Sequence, residues 1–208
     1  MKDALARLMD GEVCDPQSGL PVRPPIRRIE LSFSLAGMER QLVSSLDLGP
    51  TLAVVSDPDT ENALGARVKR ALSGRGRLIA ILLPPHPRPD LAASEAIQRE
   101  AAPADALIAV GSGTINDLCK HAAARLDRPY AVFATAPSMN GYTSSNASIF
   151  VEGLKRTLPA RPPEGAFFDL QVLASCPPRL IRAGLGDTIC RPTVQADWLL
   201  THFLRGDA

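Results

Sequence analysis

The sequence predicts an α/β fold in which a parallel sheet is flanked by helices. Short apolar runs alternate with helix-length segments, one run passes into a helix through a glycine-lined turn at 109–120 (AVGSGTINDLCK), and proline clusters at 21–25, 84–89 and 159–163 read as loops. In chain order, 28–33 is an edge strand, 37–46 an amphipathic helix, 51–56 (TLAVVS) a strand, 60–73 a helix, 78–83 (LIAILL) a strand and 91–102 a helix. Residues 105–110 (DALIAV) form the next strand, Thr114 opens a helix, and 130–134 (YAVFA) is another strand. Segments 147–151 and 154–158 form a hairpin, because the intervening Glu152-Gly153 suits a two-residue turn. A strand at 167–173 and a short helix at 177–184 follow, and Pro192, acceptable at a first helical position, starts a last helix through Leu204.

With 45% hydrophobic and 22% charged residues and a net charge of +1, the 208-residue chain belongs with globular proteins that can bury a sizeable core. There is no lysine and arginine block to meet nucleic acid, no apolar run long enough for a membrane span and no signal-peptide core in MKDALARLMDGEV; a cytoplasmic protein is expected. Cys14, Cys119, Cys176 and Cys190 contain no CxxC pair and read as reduced thiols, Cys119 as a packing residue. His86, His121 and His202 are not paired at ligand spacing and read as ordinary surface or helix residues.

Gly111 and Gly113 permit close backbone approach, and the first amides of the helix that starts at Thr114 would face a pyrophosphate. Tight strand-to-helix turns use glycine for packing as well, so the turn alone leaves both readings open. Two further segments add to it: 135–145 (TAPSMNGYTSS), a hydroxyl-rich loop too long for a plain turn, and 182–187 (RAGLGD), a helix end whose glycines deliver the Asp187 carboxylate.

GSGTIND, ATAPSMNGYTSS and AGLGD, in this order and at these intervals, resemble the glycerol-1-phosphate dehydrogenase branch of the iron-containing alcohol dehydrogenase and dehydroquinate synthase-like superfamily, from about Ile26 to the C-terminus. The resemblance implies a Rossmann-like dinucleotide-binding domain with a hairpin extension at 26–176, after a lead-in at 1–25 expected to be disordered. Residues 177–208 would begin an all-helical metal-binding domain that is truncated here. The implied cofactors are NAD or NADP and a divalent metal, zinc first, with nickel or iron as alternatives. The implied reaction is hydride transfer between dihydroxyacetone phosphate and sn-glycerol 1-phosphate, so the partner is a small phosphorylated polyol or ketone. The family completes its metal site with two histidines that this chain lacks, and the isolated chain is expected to be inactive.

Within that resemblance Gly111, Gly113, Thr114 and Asp117 match the pyrophosphate turn, with Ile115 and Asn116 between them. Thr135, Ala136 and Ser138 match positions lining the cofactor, and Ser144 one near the nicotinamide end; as plain residues these are also loop-capping hydroxyls. Asp187 matches the metal ligand, although an aspartate after glycine equally reads as a helix N-cap, and one carboxylate cannot hold a catalytic ion alone. Asn140 stands where many relatives carry an aspartate that meets substrate hydroxyls; an amide donates and accepts hydrogen bonds but brings no basicity. Asn140 and Asp187 are the candidate catalytic residues. They also join Lys155 as candidates for substrate binding, although Lys155 and Arg156 equally suit an exposed, charged hairpin end. Asp57, closing the strand at 51–56, reads either as an acceptor for the adenosine ribose, favouring NAD, or as the start of a turn.

Two other functions fit the same residues: a non-catalytic NAD-binding module, and a dehydroquinate synthase-like lyase that uses NAD transiently. The last helix carries Val194, Trp198, Leu199, Leu200, Phe203 and Leu204, and is expected to leave a sticky face through which the chain forms a homo-oligomer or the helix frays.

Overall fold

The computed structural model describes residues 4–16 and 18–206. Its centre is a parallel sheet of β1 (Arg28–Ser32), β2 (Thr51–Ser56), β3 (Arg77–Leu82), β4 (Ala106–Gly111), β5 (Tyr130–Ala134) and β8 (Gly165–Asp169), in the order β1-β8-β5-β4-β2-β3. β6 (Asn146–Val151) and β7 (Leu154–Pro159) form a separate antiparallel hairpin, whose Glu152 and Gly153 both have positive φ, as a type I′ turn requires.

The central strands are apolar throughout because both faces are covered. Ala53 and Val55 of β2, Leu107 and Ala109 of β4 and Val132 of β5 pack under α5 (Leu91–Ala101) and α6 (Gly113–Leu126). Their alternates Leu52, Val54, Ile108, Val110 and Phe133 pack with Leu42 and Val43 of α2 (Glu39–Ser44) and Val68 and Leu72 of α4 (Ala66–Leu72). That two-sided burial makes these strands legible as continuous apolar runs.

The sheet bears out the predicted α/β architecture, with differences at the ends of elements. The helix expected at 60–73 begins earlier, as α3 (Pro58–Thr60), passes through a π turn at Glu61–Gly65 and continues as α4. The strand expected at 167–173 ends at Asp169, which instead caps α7 (Leu170–Ser175) by accepting from the amides of Gln171 and Val172. The lead-in is not featureless: α1 (Ala4–Met9) and a bridge between Cys14 and Pro21 occupy it, and residues 1–3 and 17 lie outside the described residues. Two helices close the chain, α8 (Pro178–Ile189) and α9 (Arg191–Arg205); neither buries a residue, and Trp198, Phe203 and Leu204 are exposed, as expected of the sticky face.

Of the two readings given for the histidines, His121 takes the helix one and is not on the surface. It is buried between α5 and α6, its Nδ1 2.7 Å from Ser94 Oγ, and Gln98 Nε2 donates to that same oxygen. Burial, with the charge of Arg125, lowers its pKa below 6.5, so the unfolded chain takes up this proton more readily than the folded one. The stability that the neutral ring contributes is complete above pH 6.5 and declines as pH falls from there. Thermal melting followed by circular dichroism is expected to drop in midpoint between neutral pH and about pH 5, and His121→Gln to flatten that slope.

Candidate functional site

β2 leads to β3 on one side of the sheet and β4 to β5 on the other, which leaves a crevice at their carboxyl ends, the switch point where open α/β sheets take ligands. A cavity of about 540 Å³ lies there, lined by Asp57 and Asp59 after β2, His86 after β3, Ser112, Thr114 and Ile115 after β4, Thr135 after β5, and Cys176 and Arg179 at the start of α8.

Two helix termini on this wall lack a side-chain cap, that of α8, whose N-cap is Pro177, and that of α6, which is the one that springs directly from the sheet. The helices that follow β2, β3 and β8 are each capped by a carboxylate: Asp57 accepts from Thr60 N, Asp90 from Ala93 N, and Asp169 from Gln171 and Val172 N. α6 is not. Its N-cap residue, Ser112, has extended backbone and makes no side-chain capping bond. The first amides and positive dipole end of a 14-residue helix therefore remain available beside the cavity, which is the chemistry that takes a phosphate. Gly111 is needed for packing, since a Cβ there would lie 2.4 Å from Ile115 Cβ, whereas a Cβ on Gly113 would meet Met139 at an ordinary 3.6 Å.

Other residues of the turn face elsewhere. Asn116 is fully buried beneath Tyr130 Oη. Asp117 accepts from Ser148 N at the hairpin; burial raises its pKa, partly offset by Lys120. Ala136 is buried and its carbonyl accepts from Tyr142 Oη at 2.6 Å. Lys155 is exposed on β7, outside the cavity wall. Ser138 and Ser144 also lie off the wall. Ser144 is engaged by Lys120, a fully buried lysine that the sequence reading missed. Its Nζ donates to Gly141 O at 2.9 Å, Ser144 Oγ at 2.9 Å and Asn146 O at 3.1 Å, so all three ammonium protons are used. Burial draws its pKa down to about 8, with the Asp117 charge pulling the other way.

The AGLGD segment is not a helix end. α8 runs through it unbroken, so Asp187 sits within the helix and is not an N-cap. The glycines have helical rather than left-handed backbone, and they differ in what they do. A Cβ on Gly184 would lie 1.7 Å from Pro137 O, so this glycine lets α8 cross directly over the backbone of the 135–145 loop; Gly186 faces nothing within 4 Å. The crossing sets Asp187 Oδ2 2.8 Å from Asn140 N. The structure thus brings the two candidate catalytic residues together, through the Asn140 backbone rather than its amide side chain.

A metal does not fit what is present: among the described residues no group of three or more His, Cys, Asp or Glu could hold an ion. Asp187 contributes one carboxylate, and His121 is committed to Ser94 on the far side of α6. The ionisable cavity residues that sequence reasoning missed are Asp59, His86, Cys176 and Arg179. Asp59 was legible from VVSDPDT, two residues after Asp57, but the approach of Arg179 depends on how α8 crosses the loop and leaves no local signal.

The pattern of the iron-containing alcohol dehydrogenase family matches residues 34–177. The chain is 33% identical over 162 residues to a glycerol-1-phosphate dehydrogenase named for NAD(P)+ from Bacillus subtilis, an alignment covering 75% of this chain and 41% of the relative. It is 32% identical over 181 residues to the Pyrococcus furiosus protein of the same name, covering 87% and 52%. The chain therefore spans about half or less of the length of these relatives. Among solved structures, glycerol dehydrogenase from Schizosaccharomyces pombe superposes with a TM-score of 0.69 at 20% identity, over 79% of this chain and 42% of that one. A 2-deoxy-scyllo-inosose synthase complexed with carbaglucose-6-phosphate, NAD+ and Co2+ gives 0.63 at 17% identity, over 71% and 44%. At these identities the two structures speak for the fold.

Proposed function

The chain belongs to the iron-containing alcohol dehydrogenase family, and from that premise we propose that it is the dinucleotide-binding part of an NAD(P)-dependent dehydrogenase that interconverts dihydroxyacetone phosphate and sn-glycerol 1-phosphate. The observation that carries the proposal is the uncapped start of α6 on the wall of the switch-point cavity. There the amides after Ser112 hold the pyrophosphate, Thr135 lines the path beyond it, and Asp57 and Asp59 lie where the adenosine ribose is expected. Two carboxylates in that place oppose a 2′-phosphate, so NADH is the preferred form. The nicotinamide would carry the hydride; the residues described form no metal centre, and no step is assigned to one. Residues 177–208 are read as the start of a second, helical unit whose Asp187 contacts the loop of the first.

A second reading has its own support. A module that binds NAD(H) without turnover would use the same cavity and the same open start of α6. Calorimetry with NADH and NADPH tests binding, and loss of reduced-nicotinamide absorbance with dihydroxyacetone phosphate tests chemistry. Binding with no consumption favours the module; no binding to folded protein overturns both readings.

Ser112→Asp separates binding from stability. A carboxylate at this N-cap supplies the missing cap, stabilising the helix by about 0.5–1 kcal/mol, and at the same time places a negative charge where the phosphates go. The expected result is an unchanged or higher melting midpoint with NADH affinity reduced tenfold or more. A variant that binds as tightly as the parent removes the phosphates from this turn.

A further inference from the structure

We infer that Lys120 is a positioning residue for the nucleotide site: its buried ammonium fixes the 135–146 loop against α6, and so sets that loop, the phosphate-binding turn and Asp187 in register. This rests on the nucleotide reading above.

α6 reaches both the cavity and the loop. At one end the helix presents the amides after Ser112 to the cavity. Two turns further on, Lys120 sends its three donors to Gly141 O and Ser144 Oγ in the loop and to Asn146 O, the first residue of β6, and no donor is left for water. Ser144 closes the arrangement: its oxygen accepts from Lys120 and lies 3.0 Å from both Gly141 O and Asn146 O, to one of which its single proton goes. Asp117, one turn before Lys120, takes the amide of Ser148 and so holds the start of the hairpin to the same helix. At its other end the loop is tied to β4, with Thr135 N donating to Gly111 O at 3.2 Å.

Between these ties lie the groups that matter for the site. Thr135 lines the cavity, the Pro137 carbonyl is what Gly184 packs against, and Asn140 N holds Asp187. The first Lys120 acceptor, Gly141 O, is on the residue immediately after Asn140. Removing the ammonium would leave the carbonyls of Gly141 and Asn146 without this donor and free the stretch that carries the Asn140–Asp187 contact. The strand ladder of β2, β4 and β5 would keep its own hydrogen bonds, since every bond of Lys120 goes to 141–146.

The test uses the full 208-residue chain, its Lys120→Met and Lys120→Arg variants, and Ser144→Ala as a milder change should Lys120→Met fail to fold. Two quantities are read: amide hydrogen exchange without nucleotide, and NADH affinity by calorimetry. Lys120→Met is expected to lose protection in 138–148 while β2, β4 and β5 keep theirs, and to bind NADH at least tenfold more weakly. Lys120→Arg, which retains the charge and the donors, is expected to recover part of both losses, and Ser144→Ala to show the same pattern at smaller size. Unchanged loop protection, unchanged affinity, or a loss of protection spread evenly over the sheet would overturn the inference. Should the parent chain bind no NADH, the nucleotide reading fails separately, and the exchange data alone decide: a loss confined to the loop keeps the clamp, an even loss removes it.

Discussion

Replacing Gly184 with alanine is expected to lift α8 off the 135–145 loop. The added Cβ would lie 1.7 Å from Pro137 O and 2.9 Å from Pro137 C, both backbone atoms, so no flexible side chain can move aside to admit it. Overpacking of this kind costs about 1–3 kcal/mol, against a gain of roughly 1 kcal/mol from alanine's better helix propensity. The cheaper response is for α8, which buries no residue of its own, to move away. Moving it breaks the Asp187–Asn140 contact and displaces the cavity wall that carries Cys176 and Arg179. NADH affinity, measured by calorimetry, should fall tenfold or more. Gly186→Ala is the control: a Cβ there meets nothing within 4 Å, so it should bind normally and melt no lower than the parent. Equal affinities in the two variants would contradict the role given to the Gly184 crossing.

Asp169→Ala is expected to be the most damaging single change to stability. The carboxylate is fully buried; one oxygen accepts from Gln171 and Val172 N and the other from Leu35 N and the Arg67 guanidinium, which also reaches Glu39, Nε to Oε1, at 2.7 Å. One side chain thereby joins the end of β8, the cap of α7, the turn before α2 and α4. Burial alone would raise its pKa, but the bonds from Leu35 N, Arg67 and Val172 N outweigh that and hold the group below 3.8. Removing it leaves the amides of Leu35 and Val172 without an acceptor and Arg67 with Glu39 alone, while Gln171 N keeps Phe33 O, a loss on the order of 3 kcal/mol. For a chain of this size that is roughly a 10 °C drop in melting midpoint. Because the folded pKa is the lower one, the carboxylate's contribution is complete above pH 3.8 and disappears as pH falls through the folded value. Melting curves for Asp169→Ala that match the parent's near neutral pH would show that the network adds nothing.

These two residues also mark the limits of what the sequence shows. The sheet was legible because β2, β4 and β5 are apolar on both faces, and the hairpin because Glu152-Gly153 can adopt positive φ. The boundary at Asp169 was not: Phe167 to Leu173 is mostly apolar, and what ends the strand is a cap shared with Leu35, 134 residues away. AGLGD read as a helix end because glycine in a sequence does not say whether it supplies a left-handed backbone or room for another chain segment. Here Gly184 supplies room. Lys120 was passed over for a related reason. A lysine on an amphipathic helix looks like solvent-facing charge until its acceptors, 21 to 26 residues later, are seen to close over it.

Trp198 is the chain's single tryptophan, and it stands exposed on α9, a helix that buries none of its residues. Tryptophan fluorescence, excited beyond the absorption of Tyr130 and Tyr142, is accordingly a private signal of one helix. It is blind to whether the sheet is intact, and well suited to registering anything that comes to cover that surface.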